Sequence, residues 1–211
     1  MLVKEAKEFG NISKRNTKMP GTSYAIDAFA CKTGSKLAKI KGTPCHKCYA
    51  RKLQKLRPSV DQGYKSNLSK WEMSDKTQWV AAMVLQIDRY CTDKFHRWFD
   101  SGDLQSIEML ENIIDVCLMT PSVNHWLPTQ ERGIVKQYLD KHGSFPKNLV
   151  VRVSASKIDP IEAPSFPHSS TVFKHATPIG KECKARHNGN QCGSCRACWS
   201  SDVPVVSYPQ H

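Results

Sequence analysis

The middle of the chain alternates between helix-like and strand-like segments, and this alternation limits the possible folds more than any other feature. Apolar residues recur at helical spacing in 74–94, 106–119 and 131–143, which predicts three amphipathic helices. Ser74 or Asp75 can cap the first of them, and Gly143 can end the third. The predicted strands are 23–31, 95–103, 123–130, 148–156, 170–176 and 203–210. Strands that alternate with helices imply a parallel sheet with right-handed crossovers.

This pattern places the chain in the α/β class. We expect a small or partial (β/α) TIM-like barrel with cysteine-rich metal-binding loops, because 211 residues fall short of the ~250 typical of a full eight-stranded barrel. An open doubly wound sheet is the alternative. We expect a single domain over 1–211, made of a basic N-terminal segment (1–70), a βα-repeat core (71–180) and a cysteine-rich loop with a final strand (181–211).

Candidate catalytic residues lie where the predicted strands end, since the loops at the carboxyl ends of parallel strands carry the functional site. The candidates are Asp100, Asp103, Glu131 and His175. Two carboxylates three positions apart can act as a base and its orienting partner, or bind a cation or ribose hydroxyl groups. Structural roles are the alternatives: Asp103 can cap the next helix, Asp100 can stabilise the turn, and Glu131 can favour a helix dipole.

The chain contains nine cysteines and no recognisable export signal. Residues 1–16 are charged and lack an apolar core, and no run of about eighteen apolar residues predicts a membrane span. We therefore expect a soluble protein in a reducing cytoplasm, where clustered cysteines favour metal binding or chemistry over disulfides. Cys91 and Cys117 lie in apolar helical stripes and are predicted to be core residues.

Four cysteines near the C-terminus have the spacing C-x8-C-x2-C-x2-C: Cys183, Cys192, Cys195 and Cys198. Thiolate sulfur is soft and anionic, so closely spaced cysteines on a tight loop can hold an iron–sulfur cluster, and we favour the 4Fe–4S type. Zinc is the alternative, but zinc sites usually use well-separated C-x2–4-C pairs, which these overlapping intervals match less well. Flanking cations such as Lys184 and Arg196 would offset the cluster charge and help to keep the thiols deprotonated.

A second group of cysteines is also assigned as metal ligands: Cys31, Cys45 and Cys48. Three cysteines leave one ligand position free, and the candidates to fill it are Cys183, His46, His175 and a substrate. An open position distinguishes catalytic metal sites from structural ones. The alternative is a structural knot that ties the N-terminal segment to the sheet. The spacing leaves open whether the chain holds one metal site or two, and whether the two groups share ligands.

The net charge of +12 is confined to the first third of the chain. Residues 1–70 contain sixteen Lys and Arg but four Asp and Glu, whereas the remaining residues carry equal numbers of each sign. A basic block can neutralise phosphates and release counterions, so nucleic acid or another polyanion is a candidate partner of residues 1–70. A solvated lysine-rich surface is the alternative.

Several stretches resemble the bacteriophage gene product 88-like family: NTKMPGTSYAIDAFAC with GTPCHKCYARK, FHRWFDSGDLQSIEML, and CGSCRACW. The resemblance extends from about Gly10 to Trp199. It implies a phage-encoded protein in the host cytoplasm, metal-type cysteines at the seven positions named above, and a characteristic turn at 100–103. The arrangement also resembles the partial barrels of radical S-adenosylmethionine enzymes, but their C-x3-C-x2-C motif is absent, since thirteen residues separate Cys31 from Cys45.

The sequence therefore predicts an iron–sulfur protein that performs redox or cluster-dependent chemistry on a small molecule or nucleotide. The alternative is a metal-stabilised module without catalysis that binds nucleic acid or a host protein. No Walker loop, G-x-S-x-G or H-E-x-x-H motif is present, so NTPase, serine hydrolase and zincin functions lack support. The sequence does not decide whether the protein is an enzyme.

Overall fold

A computed structural model describes residues 1–14 and 17–210; Arg15 of the basic segment, Asn16 and His211 lie outside the described residues. The helices are α1 (Val3–Ala6), α2 (Lys32–Leu37), α3 (Tyr49–Leu56), α4 (Pro58–Met73), α5 (Lys76–Tyr90), α6 (Ile107–Met119) and α7 (Arg132–His142). The strands are β1 (Thr22–Tyr24), β2 (Phe95–Trp98), β3 (Asn124–Thr129), β4 (Leu149–Ile158), β5 (Ser169–Phe173), β6 (Lys181–Glu182) and β7 (Val205–Pro209). Short 3₁₀ turns cover Ala28–Ala30, Lys184–His187 and Ala197–Trp199.

The strands of the described chain form one parallel sheet in the order β1-β2-β3-β4-β5-β7-β6. From β1 to β5 this order follows the chain, without the reversal that defines a doubly wound sheet. Strands β1 and β6 are the two edges, so the sheet formed by residues 1–14 and 17–210 is open and is not a closed barrel. The predicted α/β class with a parallel sheet is confirmed.

The predicted helices of the middle region are confirmed as α5, α6 and α7, together with their end signals. The Asp75 carboxylate accepts a hydrogen bond from the backbone N–H of Gln78 (3.0 Å) and caps α5. Ser106 caps α6 in the same way, through the N–H of Met109 (3.1 Å). Gly143 follows α7 with φ 77°, a left-handed conformation that favours glycine.

The main hydrophobic core lies between these helices and one face of the sheet. Its largest fully buried side chains include Trp79 from α5, Trp98 from β2 and Leu110 from α6. Cys91 and Cys117 belong to this core, as the sequence predicts. The two histidines that face it, His96 and His125, are fully buried. The α5–α7 layer therefore covers one side of the sheet and leaves the other for the functional loops.

We call the opposite side of the sheet the loop face, because the C-terminal cysteine loop (183–198) and the turn that follows it pack there. Trp126 of β3 meets Trp199 edge-on, with ring centroids 5.2 Å apart. The Trp199 indole N–H donates to the carbonyl of His96 (2.9 Å). These contacts fix the end of the cysteine loop against the sheet.

The N-terminal third departs from the prediction. The strand expected over 23–31 is shorter, because Asp27 accepts a hydrogen bond from the N–H of Phe29 (2.9 Å) and starts a 3₁₀ turn. Residues 32–73, to which no regular element was assigned from the pattern, form α2, α3 and α4. Buried polar side chains on these helices replace the apolar stripe that periodicity analysis detects: Gln54 and Asn67 are 2% and 5% exposed.

Candidate functional site

The four C-terminal cysteines meet around a single cavity of about 290 Å³: Cys183, Cys192, Cys195 and Cys198 all line it. Cys183 follows β6, and its N–H donates to the carbonyl of Ser207 in β7 (2.8 Å). The Cys195 N–H donates to the Cys192 carbonyl (3.0 Å), which closes a tight turn. The predicted grouping of these four residues is therefore present in the fold.

Arg152 in the centre of β4 holds this loop on the sheet. Its guanidinium is fully buried. It donates to the carbonyls of Ala197 (2.8 Å), Cys198 (3.0 Å) and Ser200 (2.9 Å), with longer bonds to two more carbonyls. These bonds satisfy a charged group that is expensive to bury unpaired, and they fix the backbone of the turn that carries Cys198.

Burial controls the acidity of two of the cysteines that line this cavity, Cys198 and Cys192. It raises the pKa of Cys198 to about 11, against the opposing effects of a hydrogen bond with the Tyr208 hydroxyl (3.2 Å) and of the Arg152 charge. Burial also raises the pKa of Cys192 despite the nearby cations Lys18 and Arg196. Nearby cations therefore oppose the effect of burial at both residues, as expected in direction, but burial outweighs them. Metal binding here must release protons.

The three N-terminal cysteines form a second group. Cys31 precedes α2, Cys48 precedes α3, and the Cys48 N–H donates to the Cys45 carbonyl (3.3 Å). A Cβ atom placed on Gly34 would lie 3.7 Å from the sulfur of Cys31 and 3.7 Å from the sulfur of Cys45. The two sulfurs are therefore separated by at most twice 3.7 Å. Burial raises the pKa of Cys31, with further increases from Asp103 and the other two thiols, and raises that of Cys45 to about 11.

Glu131 fastens this second group to the carboxyl ends of the strands, and Asp103 joins the turn at 100–103 to the end of β3. Both carboxylate oxygens of Glu131 accept hydrogen bonds from Thr33, one from its N–H and one from its hydroxyl, each 2.7 Å long. Glu131 therefore anchors the first turn of α2, rather than capping α7 with its side chain. Asp103 accepts from the Thr129 hydroxyl (2.6 Å) and the N–H groups of Leu104 and Gln130, while burial raises its pKa to about 7. It does not cap α6, a role that Ser106 performs.

Asp100 lies nearby, just after β2, and its side chain is partly buried. One carboxylate oxygen accepts from the Ser23 hydroxyl (2.9 Å), and the other is buried without a partner. The Tyr49 hydroxyl donates to the Asp100 carbonyl, which joins the C-x2-C loop to the turn at 100–103. Tyr49 is 54% exposed as a whole residue, while desolvation of its hydroxyl end raises its pKa. The neighbouring Gly102 is required because a Cβ there would lie 2.3 Å from Ile26.

Arg97 of β2 links the two cysteine groups. Its guanidinium lies 4.6 Å from the ring centroid of Trp126 on the loop face, and its Nε is buried without a hydrogen-bond partner. Its charge interacts with Tyr49 and Asp100 on one side and with Tyr208 and Cys198 on the other. A partly buried cation that forms no ion pair in the described residues favours anions at both cysteine groups.

His175 is placed apart from the other three candidates. It lines a cavity of about 480 Å³ at the ends of β4 and β5, whose lining includes none of Asp100, Asp103 and Glu131. His46, a candidate for the open ligand position, lines the same cavity. Cys183 lies instead with the C-terminal group, as the four-cysteine cavity shows.

Two general findings bear on the predicted metal chemistry. All nine cysteines are free thiols. Within residues 1–14 and 17–210, no group of three or more His, Cys, Asp or Glu side chains is arranged to hold a single metal ion. The described helices also include none that is long and apolar enough to cross a membrane.

Sequence reasoning did not identify Arg97, Arg152 and Tyr208 as parts of the site. For Arg152 a signal was available, since an arginine interrupts the apolar run 149–153 of a strand predicted to be buried. For Arg97 and Tyr208 the sequence offers no such signal, because their roles depend on which face of the sheet the cysteine loop covers.

Comparisons with known proteins complete the description. No curated protein and no solved structure matches the chain. The family model of Gene product 88 matches residues 3–201, nearly the whole length. The chain therefore belongs to the Gene product 88 family.

Proposed function

We propose that this chain is a phage-encoded iron–sulfur protein, built on a partial-barrel sheet, that carries out redox or cluster-dependent chemistry on a small molecule or nucleotide. The observation that carries the proposal is the 290 Å³ cavity lined by all four C-terminal cysteines. Four free thiols around one cavity, in a chain without disulfides, are the donor set that an iron–sulfur cluster requires.

The spacing of the cysteines favours a cluster over zinc. Zinc sites usually use well-separated C-x2–4-C pairs, whereas Cys192, Cys195 and Cys198 follow one another at overlapping intervals. In a 4Fe–4S cluster four thiolates surround one inorganic centre. The lining of one cavity by all four cysteines is consistent with such a centre.

The charges around the cavity support the same assignment. Arg152 and Arg97 lie beneath it on the loop face, and Lys18 and Arg196 act on Cys192 from outside. Together these cations compensate the negative charge of four thiolates. When bound, a cluster of this type supplies reversible one-electron transfer. Trp199, with 6% of its surface exposed, excludes water from this side.

The N-terminal group is the better candidate for reactivity. It has three thiols rather than four, which leaves a ligand position open to a substrate. Tyr49, Asp100 and Arg97 lie close enough to interact electrostatically beside this group, and Asp100 and Arg97 present buried polar atoms without partners. These atoms are available to orient a polar ligand. Glu131 holds the first turn of α2 at the ends of the strands, where parallel sheets place their chemistry.

Anaerobic purification followed by iron, sulfide and zinc analysis tests this proposal. We expect iron and sulfide in equal amounts, together with an electron paramagnetic resonance signal on reduction. The double variant Cys192→Ser/Cys195→Ser should lose the iron and sulfide bound by the C-terminal group. Cys45→Ser should lose the iron and sulfide bound by the N-terminal group. Cys91→Ser is the matched control, because a serine hydroxyl can keep the hydrogen bond to the Phe95 carbonyl (3.0 Å). Colourless protein loaded with zinc would refute the proposal.

As a second candidate we propose nucleic acid binding by the basic segment, on the evidence of one surface. Phe29 is 39% exposed, and its ring lies 5.1 Å from the Arg51 guanidinium and 5.9 Å from the Lys55 ammonium. An exposed aromatic ring beside cations is the combination that stacks bases and binds phosphates of single strands.

Fluorescence anisotropy with a labelled single-stranded oligonucleotide tests this surface. Binding should weaken steeply as salt rises. Phe29→Ala should weaken it about tenfold, in line with the loss of one stacked base. Leu118→Ala, which removes an exposed apolar side chain from α6, is the control. Equal affinities of the two variants would rule out stacking at Phe29.

A further inference from the structure

The larger cavity, about 480 Å³, is strongly basic. It lies at the carboxyl ends of β4 and β5, and five of its lining residues are cationic or titratable bases: Lys41, His46, Lys47, Lys174 and His175. These residues are far apart in the sequence, since Lys41, His46 and Lys47 come from the N-terminal segment and Lys174 and His175 from the end of β5. Folding brings them together at the edge where parallel sheets bind ligands.

One acidic residue of the lining, Asp159, offsets part of this charge. Its carboxylate accepts hydrogen bonds from the backbone N–H groups of Lys174, His175 and Ala176, at 2.6 to 3.2 Å. These bonds lower its pKa and occupy its oxygens. No lysine of the cavity forms an ion pair within the part of the chain that the structure describes. With three lysines against one carboxylate, the lining carries an excess of positive charge.

The walls of the cavity are held by internal hydrogen bonds. The Gly42 carbonyl accepts from the N–H of Ile158 at the end of β4 (2.8 Å). Thr43, 4% exposed, donates its hydroxyl to carbonyls at the end of α2. The His46 ring bonds through Nδ1 to the Ala38 carbonyl (3.1 Å), so Nδ1 carries the proton and Nε2 remains for a ligand. A ligand would therefore meet a largely formed site.

We propose that this cavity binds the phosphate groups of a phosphorylated small molecule, such as a nucleotide. Lysines and histidines around a concave site are the side chains that bind phosphate oxygens. His46 and Lys47 lie between Cys45 and Cys48, so a ligand anchored here lies beside the loop that carries two of the N-terminal cysteines. The role of this molecule as substrate rests on the proposed function, whereas the binding itself does not.

Isothermal titration calorimetry of the as-purified protein with inorganic pyrophosphate tests the site, with iron content measured on the same sample. We expect saturable binding of one equivalent, weakened at least tenfold in Lys41→Gln/Lys174→Gln. The matched control is Lys136→Gln/Lys141→Gln, which removes two exposed charges from α7 and should bind as the wild type does. Urea unfolding of both variants checks that each remains folded.

The outcomes separate the two proposals. Absence of pyrophosphate binding, or equal loss in both double variants, overturns the phosphate site whether or not iron is present. Binding without iron overturns only the iron–sulfur proposal. The same titrations with a single-stranded oligonucleotide test the alternative ligand. The small-molecule class is overturned if the oligonucleotide competes with pyrophosphate and Lys41→Gln/Lys174→Gln weakens the binding of the oligonucleotide but not that of pyrophosphate. The site would then be assigned to a nucleic acid backbone.

Discussion

Replacing Arg152 with methionine tests how the C-terminal cysteine loop is held. The substitution keeps a long, unbranched side chain in β4 but leaves the carbonyls of Ala197, Cys198 and Ser200 buried without their donor. Each hydrogen bond from a charged group contributes at least about 1.5 kcal/mol, so three short bonds represent ~4–5 kcal/mol. Removing a buried charge returns part of this, which leaves a net loss of about 3 kcal/mol in the free energy of unfolding.

Urea denaturation followed by tryptophan fluorescence measures this loss, since Trp126 and Trp199 lie beside the loop. With a denaturant slope near ~3 kcal/mol/M for a chain of this size, the midpoint should fall by about 1 M. Arg132→Met is the matched control, because exposed Arg132 makes one bond to the Ser154 carbonyl and should lose under ~0.5 kcal/mol. Equal midpoints for the two variants would show that Arg152 does not hold the loop.

Two further predictions concern the N-terminal cysteines and the histidine of β3. Gly34→Ala should reduce the iron content, because the new Cβ would lie 3.0 Å from the Cβ of Cys31. Gly133→Ala, which meets no atom within 4 Å, should keep the iron and gain up to about 1 kcal/mol in helix stability; equal iron contents would contradict the crowding argument. Burial lowers the pKa of His125 to about 3, so His125 stays neutral in the fold and gains a proton on unfolding below its ordinary 6.5. Its stabilising contribution is complete above pH 6.5. As the pH drops below 6.5, the free energy of unfolding decreases by about 1.4 kcal/mol per pH unit. Unfolding free energies measured from pH 7 to 4 should show a shallower slope in His125→Gln, and parallel slopes would disprove the assignment.

The fold of the middle region is predictable because its signals are local. Asp75 and Gly143 mark helix ends in the sequence, and the three helices carry apolar stripes, whereas the cap of α6 proved to be Ser106 and not Asp103. The missed helices α3 and α4 bury polar groups instead. Gln54 bonds to the backbone of Ala28, and Asn67 bonds to the chain on either side of β1. A buried amide has no periodic signature, so hydrophobic patterning does not detect such helices.

The grouping of the cysteines could be predicted from the sequence. The residues that hold these groups in place could not. The groups around Cys31 and around Cys192 are visible in the spacing, which leaves open whether they share ligands. In the fold, Cys183 lies with the C-terminal group. The partners of Glu131 and Asp103 depend on contacts between residues far apart in the chain, such as Thr33 with Glu131. The same holds for His175, whose cavity is completed by residues 41–47.

The position of β7 between β5 and β6 limits how far the C-terminal cysteine loop can move. Residues 183–204 connect β6 to β7, which pair with each other, so both ends of this segment are hydrogen-bonded into the sheet. The loop cannot swing away as a lid does; freeing it requires the last strand to part from a neighbour. A metal or cluster bound by these cysteines should then dissociate no faster than the edge of the sheet opens, so its dissociation should be slow.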